Sequence, residues 1–328
     1  MGLFHIFQIM NFDETVASIT QAGLEWHRET IIANSRRNAA HVQRTMRDIS
    51  SDSRPCLVIS AGPSLYREKI CGRIASNSFA GNIIATDGAY IQCLKAGITP
   101  DWVITLDPHP TRMVRWFGDP DYSENSKNDD YFTRQDLDVS FRANSIAQNA
   151  ENIRLVDANP VKLAICTTAP ANVVARTARM DRYWFAPLVD SPADDGLTRA
   201  IVKATGCPAL NTGGTVGTAA WTFAHQVLGS GNIAIVGADL GYYLDTPLEQ
   251  TQEWNMLKGE PNVTDLFPVV DTPFGKCRTS PTYRFYRDGF LDLLAASGEG
   301  ITNCSGHGTL HGNRVNIVSL EFWLKSCS

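Results

Sequence analysis

Short runs of apolar residues recur along the chain, and each run ends at a small or acidic residue. The clearest are 56–60 (CLVIS), 82–86 (NIIAT), 102–106 (WVITL) and 233–237 (IAIVG). They lack the alternation of apolar and polar positions that is typical of a strand with one solvated face, so we predict strands buried on both faces. Helical stretches separate the first three runs. Strand and helix in alternation predict an α/β fold around a doubly wound, mostly parallel sheet.

Weaker patterns fill the rest of the chain. Residues 12–49 carry apolar positions at helical spacing and predict one or two helices before the sheet. Two polar segments, 118–136 and 241–281, are predicted to be long loops, the first a surface loop or a lid. Three further apolar segments predict strands, near 153–156, at 163–166 and at 183–186. An amphipathic helix is predicted around 283–296, and a final helix, docked on the core, at 318–325.

Length and composition are those of an ordinary globular protein. The 328 residues predict a helical N-terminal segment at 1–50 and a Rossmann-like domain with C-terminal additions at 51–328. The net charge of −5 offers no basic footprint for a nucleic-acid partner. No window approaches the roughly 18 uncharged apolar residues of a membrane span, so we predict a cytoplasmic protein. Eight cysteines occur singly, without a C-x-x-C pair, which indicates reduced and mostly buried thiols.

The first predicted strand runs directly into a tight glycine turn, Ala61-Gly62-Pro63-Ser64-Leu65, that opens a helical pattern. In α/β proteins this position often holds phosphate, because free backbone N–H groups and the helix dipole favour an anion. Gly62, Pro63 and Ser64 are therefore predicted to bind the phosphate of a nucleotide. The alternative is structural: Ser64 caps the helix and Gly62 makes the turn.

Acidic residues follow the next two predicted strands. Asp87 and Asp107 are placed at the carboxyl ends of parallel strands, on the edge where ligands bind. We predict that Asp87 orients a nucleotide hydroxyl and that Asp107 holds a metal ion or a ribose. Each could instead cap the helix that follows it.

A second glycine turn, 211–218 (NTGGTVGT), precedes an apolar helix and the strand that ends at Asp239. Its glycines and threonines expose backbone donors and hydroxyls, so Gly213, Gly214 and Thr215 are predicted to bind phosphate or ribose. The turn is not a Walker motif, because no lysine follows the glycines. Close packing of a helix on the sheet is the alternative explanation.

Near the C-terminus, residues 303–312 (NCSGHGTLHG) form a glycine-rich loop with two histidines four positions apart. His307 or His311 could bring a general base or a phosphate-binding imidazole to the crevice. The intervening glycines argue against a rigid helical metal pair. A purely structural loop with exposed histidines is also consistent with the pattern.

Taken in order, six segments resemble the blocks of the MptE-like/Maf (motility-associated factor) domain family. They are 61–65 (AGPSL), 85–89 (ATDGA), 96–108 (AGITPDWVITLDP), 213–220 (GGTVGTAA), 233–240 (IAIVGADL) and 308–312 (GTLHG). Each block is common, but their order and spacing are not. The stretch 34–38 (NSRRN) also resembles the helical segment that precedes the first strand in Maf proteins.

The resemblance implies one of two transferase activities. MptE-like enzymes transfer diphosphate from ATP to 6-hydroxymethyl-dihydropterin with magnesium, and Maf proteins are implicated in moving nonulosonic acids from CMP onto flagellin. In the diphosphokinases the third-strand block resembles D-x-D, a pair of magnesium ligands; here it reads Thr105-Leu106-Asp107. Because the first carboxylate is missing, the Maf-like activity is favoured, with Mg²⁺ only a possible cofactor.

The fold of Maf proteins is also similar to that of bacterial CMP-sialic-acid sialyltransferases. That likeness assigns phosphate and cytidine binding to 62–64 and 213–215, and Asp239, at a strand end, is predicted with Asp87 and Asp107 to orient the ribose and the donor. The stretch that holds a catalytic histidine in those enzymes corresponds to 272–279 (TPFGKCRT), which has none. His307 or His311 is therefore the predicted substitute. The alternative outside the enzyme class is a non-catalytic nucleotide-binding protein of a surface-glycan system. The predicted partners are a donor, either a CMP-linked sugar or ATP, and an acceptor, either a protein or a glycan.

Overall fold

A computed structural model describes residues 12–110, 113–125, 127, 141–191, 193–251, 253–259 and 262–327. The strands, numbered along the chain, are β1 (Cys56–Ile59), β2 (Asn82–Thr86), β3 (Trp102–Thr105), β4 (Lys162–Cys166), β5 (Asp181–Pro187), β6 (Ala209–Leu210), β7 (Ile233–Val236), β8 (Val269–Thr272), β9 (Gly275–Arg278), β10 (Ile301–Asn303) and β11 (Val315–Ile317). Nine of them form one sheet in the order β11-β10-β7-β1-β2-β3-β4-β5-β6. Every pairing in this sheet is parallel. The antiparallel hairpin β8–β9 stands apart from it.

Helices cover both faces of the sheet. They are α1 (Phe12–Asn38), α2 (Ser64–Arg67), α3 (Ile70–Ala75), α4 (Asp87–Lys95), α5 (Tyr122–Asn125), α6 (Phe141–Ala158), α7 (Ala171–Arg176), α8 (Leu197–Thr205), α9 (Val216–Thr222), α10 (Trp254–Leu257), α11 (Pro281–Ser297) and α12 (Leu320–Ser326). A π turn, Phe223–Val227, continues α9, and short 3₁₀ turns occupy connections. No helix in the described part of the chain is long and apolar enough to cross a membrane.

The sheet divides the apolar core into two layers. Along β1, Leu57 and Ile59 point into one layer, whereas Cys56 and Val58 point into the other, and all four are fully buried. This is why the strand reads as an unbroken apolar run: both faces of a parallel sheet are covered by helices. The first layer contains residues of α2, α3, α4, α8 and α12, and the second contains those of α9 and α11.

The predicted α/β fold with a doubly wound parallel sheet is confirmed. The four clearest apolar runs are β1, β2, β3 and β7, and the two weaker ones at 163–166 and 183–186 are β4 and β5. All eight cysteines are free, and seven are buried.

Some predicted elements differ from the structure. The strand predicted near 153–156 is wrong, because these residues lie inside α6. A run of only four mainly apolar residues does not distinguish a strand from a buried turn of helix. The predicted loop at 241–281 contains α10 and the β8–β9 hairpin. Most of the predicted lid at 118–136 lies outside the described residues, and its described part includes the short helix α5.

Candidate functional site

The order of the strands reverses between β1 and β7. From β1 the chain adds strands on one side up to β6, and then β7 returns to pair with the other side of β1. In an open α/β sheet, ligands bind outside the carboxyl ends of the strands at such a switch point. The turn after β1, the turn after β7 and the glycine loop after β10 all lie at this edge.

The turn after β1 is tightly packed against the end of β7. Gly62 N donates a hydrogen bond to Gly237 O at 2.7 Å, and a side chain at Gly62 would bring its Cβ within 2.4 Å of the same oxygen. Pro63 has no N–H. The backbone N and the hydroxyl of Ser64 both bond to the carboxylate of Asp239, each at 2.6 Å. The donors that the sequence assigned to a phosphate are thus used within the protein at Gly62 and Ser64.

Asp239 is 1% exposed, and burial raises its pKa to about 7, against the lowering effect of its bonds to Ser64. The geometry fits either protonation state. The amide of Ser64 always donates to one carboxylate oxygen, whereas the proton between the Ser64 hydroxyl and the other oxygen can belong to either group. Asp239 therefore joins the loops after β1 and β7.

The second glycine turn keeps unpaired donors. The amides of Gly214, Val216 and Gly217 have no hydrogen-bond partner among the residues that the structure describes, because the first turn of a helix lacks internal acceptors for them. Gly213 N instead donates to Asn211 Oδ1 at 3.1 Å. Gly213 and Gly214 both have positive φ angles, 52° and 80°, which glycine adopts without strain.

The start of α9 lies beside the end of β1. A Cβ at Gly217 would lie 3.0 Å from the hydroxyl oxygen of Ser60, the residue that follows β1. That hydroxyl is buried and has no hydrogen-bond partner within the described chain. The Ser60 hydroxyl thus lies next to Gly217 in the first turn of α9. The two glycine turns converge at one edge of the sheet, but from opposite faces, since α2 packs in the first core layer and α9 in the second.

Aromatic side chains of α11 border the second turn. A Cβ at Gly214 would lie 3.5 Å from the ring of Tyr286 and 3.6 Å from that of Phe285. Both rings are half-buried, and their centroids are 5.7 Å apart. An aromatic face next to unpaired amides is the arrangement that can receive a base and a phosphate of one nucleotide.

The acidic residues after β2 and β3 lie further along the same edge. The Thr105 hydroxyl donates to Asp87 Oδ2 at 2.7 Å, and Gly88 N donates to Asp87 Oδ1 at 2.7 Å. Asp107 Oδ1 accepts from His109 N at 2.8 Å. Thr105 stands where the D-x-D block has its first carboxylate. Its hydroxyl donates a hydrogen bond to Asp87 and so does not supply the negative charge of a carboxylate. Within the described residues no three His, Cys, Asp or Glu side chains are grouped so that they could hold a metal ion, so these residues do not fit a magnesium site built by protein alone.

The glycine loop after β10 is fixed to β7. Thr309 N donates to Asp239 O at 2.7 Å, and a Cβ at Gly308 would lie 2.2 Å from that oxygen. Arg287 of α11 donates to Thr309 O at 2.7 Å and to His311 O at 3.1 Å. These bonds place both predicted histidines at the switch-point edge.

The two histidines differ in their surroundings. His307 is 7% exposed, and neither ring nitrogen has a hydrogen-bond partner among the described residues. His311 is half-buried. Burial lowers the pKa of both imidazoles, with a further lowering by Arg67 at His307 and by Arg287 at His311. Neutral imidazole is the form that accepts a proton.

Sequence reasoning missed the polar end of α1 as part of this edge. Asn34 and Asn38 donate to the carbonyl oxygens of Thr168 and Thr167, each at 2.8 Å, just beyond β4. The signal was the stretch 34–38, noted only for its resemblance to Maf proteins. Ser60 was also missed, although a polar residue that ends a wholly apolar strand marks the ligand edge.

A cavity of about 410 Å³ lies at the other edge of the sheet. It is lined by the amino ends of β7, β10 and β11 and by the residues just before them, with Arg314 the charged residue among them. The predicted site residues lie at the carboxyl edge, so this cavity is not part of the switch-point site.

Comparison with known proteins agrees with the family resemblance. Residues 29–123, which include three of the six blocks, match the sequence profile of the family described as 6-hydroxymethylpterin diphosphokinase MptE-like. The structure is similar to that of a Maf glycosyltransferase from Magnetospirillum magneticum AMB-1, with a TM-score of 0.55 and 14% identity. No curated protein matches the chain in sequence.

The structural match covers 89% of this chain and 38% of the solved chain, so this chain spans about two fifths of that protein's length. At 14% identity the likeness concerns the fold. The resemblance inferred from the six blocks is confirmed: the chain carries an MptE-like region at residues 29–123 within an α/β fold similar to that of a Maf glycosyltransferase.

Proposed function

We propose that the chain is a transferase that binds a nucleotide-activated donor at the switch point, and specifically a glycosyltransferase that moves a nonulosonic sugar from CMP to a protein or glycan acceptor. The observation that carries the proposal is the group of unpaired donors at one place. The hydroxyl of Ser60 and the amides of Gly214, Val216 and Gly217 lack partners among the described residues. Of these donors the Ser60 hydroxyl is buried, whereas Gly214 is exposed and Val216 and Gly217 are half-buried, so the amides are open to a ligand. A phosphate supplies acceptors both for a buried hydroxyl and for the amides at a helix start.

The proposal divides the predicted nucleotide residues into two groups. Gly213, Gly214 and Thr215 form the turn that receives the phosphate. Gly62, Ser64 and Asp239 shape the edge, because their hydrogen bonds join the end of β1 to the end of β7, and Pro63 lies between Gly62 and Ser64 in that turn. Asp87 contributes by fixing the ends of β2 and β3 beside them. The cytosine ring of the donor stacks near Tyr286.

His307 is the proposed general base, because its ring nitrogens have no hydrogen-bond partner among the described residues, and His311 is the second choice. In the transfer, the acceptor oxygen bonds to the anomeric carbon while the bond from that carbon to the phosphate oxygen breaks. The electron pair leaves with CMP, and the acceptor proton passes to an imidazole nitrogen of His307. The amides of α9 stabilise the negative charge on the departing phosphate.

A diphosphokinase is the second proposed function, since the family that matches residues 29–123 bears that description. In it ATP would transfer diphosphate to a 6-hydroxymethylpterin, with Asp107 and the phosphate oxygens as magnesium ligands. Thr105 argues against it, because its hydroxyl bonds to Asp87 where paired carboxylates would be needed.

Thermal-shift measurements with CMP, CTP, ATP plus magnesium, and a pterin separate these functions. We expect CMP at 100 times its Kd to stabilise the protein by about 2.7 kcal/mol. Stabilisation by ATP with magnesium and pterin, but not by CMP, would favour the kinase. No response to any nucleotide would leave a non-catalytic protein and remove the transferase proposal.

The Gly214→Asp variant tests the position of the phosphate. Its carboxylate would repel the phosphate, so we expect CMP binding to weaken by at least about 100-fold. The atoms nearest to an added Cβ lie at ordinary contact distance, but the positive φ of 80° strains any residue with a side chain, so we expect a folded protein of lower stability. Gly275→Asp, at another positive φ with no atom within 4 Å of an added Cβ, is the matched control and should leave CMP affinity unchanged.

A further inference from the structure

The imidazole of His307 is one end of a stack of three side chains, with Tyr243 in the middle and Arg67 at the other end. Its ring lies on that of Tyr243, with 3.7 Å between the centroids and 6° between the planes. The guanidinium carbon of Arg67 lies over the same Tyr243 ring, 4.3 Å from its centroid. Two planar groups cannot both cover one ring face at these distances, so Tyr243 is enclosed between His307 and Arg67.

The tyrosine in this stack is held at its edge as well as on its faces. Tyr243 Oη donates to Glu68 Oε1 at 3.1 Å, and Arg67 bonds to Asp245 Oδ1 at 2.6 Å. These bonds join α2 to the loop after β7. Because neither nitrogen of His307 has a hydrogen-bond partner among the described residues, ring stacking on Tyr243 is the contact that sets the plane of its imidazole.

We propose that Tyr243 and Arg67 are positioning residues that hold the His307 imidazole in one orientation, with both ring nitrogens free for a substrate. A residue that acts as a general base usually has its orientation fixed by a hydrogen bond from another group. Here stacking replaces that bond and leaves both nitrogens available. The role of His307 as the base rests on the proposed function. The fixed orientation of its ring does not, because it follows from the stacking on Tyr243.

The charged and titratable groups around the stack come from two elements. Arg67 is the last residue of α2 and Glu68 follows it, whereas Asp239, Tyr243 and Asp245 lie after β7. Burial and Arg67 lower the pKa of His307, whereas Glu68 raises it. The first two prevail, so the imidazole is neutral at pH 7 and able to accept a proton.

An NMR titration of His307 in the full chain without substrate tests the hold directly, with His307→Gln used to assign the signal. Tyr243→Phe keeps the stacked ring and should leave the His307 pKa unchanged. Tyr243→Leu removes the ring, and Arg67→Met removes the charge, so each should raise the pKa toward the ordinary histidine value of about 6.5. An unchanged pKa in both of these variants would overturn the proposal.

Kinetics with a CMP-linked sugar add a second readout. We expect Tyr243→Leu to lower kcat about tenfold with less than a twofold change in donor KM, and to move the acid limb of the pH profile upward. Tyr243→Phe should keep wild-type values. A change in donor KM with kcat unchanged would contradict the proposal that Tyr243 positions His307. If no transfer occurs even in the wild type, the proposed function fails, while the NMR titration still decides the hold on His307.

Discussion

The two glycine turns at the switch point look alike in sequence but differ in their hydrogen bonds. Each follows a strand and opens a helix, and each was predicted to bind phosphate. In the turn after β1, the amides of Gly62 and Ser64 and the Ser64 hydroxyl bond to the loop after β7. In the turn before α9, the amides of Gly214 and Gly217 have no partner in the described chain.

A glycine at a helix start serves one of two purposes. A glycine can let two backbones approach closely, as at Gly62, where an added Cβ would lie 2.4 Å from Gly237 O. It can also expose amides to a ligand, as at Gly214. Only a full account of the local donors and acceptors distinguishes the two.

The largest expected effect is on stability, from Gly62→Ala. The added methyl would press on the backbone oxygen of Gly237 and on Asp239, so we expect the free energy of unfolding to fall by about 3 kcal/mol. Urea denaturation measures this. Gly72→Ala, in α3 with no atom within 4 Å of the added Cβ, is the control and should stabilise by about 0.5–1 kcal/mol. Equal stability of the two variants would mean that the turns after β1 and β7 are not closely packed.

The next largest effect is a pH dependence from Asp239. Its folded pKa of about 7 exceeds the unfolded value, so the folded protein binds an extra proton at intermediate pH. This contribution is fully present below about pH 4 and is lost as the pH rises through 7, at roughly 1.4 kcal/mol per pH unit.

Asp239→Asn isolates that contribution, because other titrating groups cancel in the difference between variant and wild type. Between pH 5 and 7 the wild type should lose about 2.3 kcal/mol of unfolding free energy relative to the variant. Denaturant unfolding at several pH values measures the difference. A constant difference across this range would show that Asp239 stays ionised.

The smallest effects come from the two buried serines that flank the first turn. Ser64→Ala removes one donor from the buried carboxylate of Asp239 and should lower stability by about 2 kcal/mol, with less than a twofold change in CMP affinity. Ser60→Ala should weaken CMP binding about tenfold and leave stability nearly unchanged, since its hydroxyl has no partner among the described residues.

Calorimetric titration with CMP and urea unfolding of both variants test this contrast. The reverse result, in which Ser64→Ala weakens binding and Ser60→Ala does not, would place the phosphate at the turn after β1 and reject its assignment to the start of α9.

Much of the fold followed from the apolar pattern. β1, β2, β3 and β7 were predicted because both faces of a parallel sheet are buried, so their sequences are uniformly apolar. β10 escaped prediction because it is short and ends at Asn303. That residue is fully buried, and its amide donates to Leu310 O at 2.8 Å. A polar residue in a buried strand is tolerated when a loop satisfies it, and that loop cannot be recognised from the strand itself.

By itself the sequence determined the parallel sheet and the edge at which the glycine turns and acidic residues meet, because strand and turn patterns are local. Which donors remain free was decided by the tertiary structure. Ser64 is bonded to Asp239, 175 positions away, whereas Ser60, four residues before it, lies beside Gly217 of α9 and its hydroxyl has no partner among the described residues. Hydrogen-bond partners this distant in sequence come together only when β7 pairs with β1 in the folded sheet.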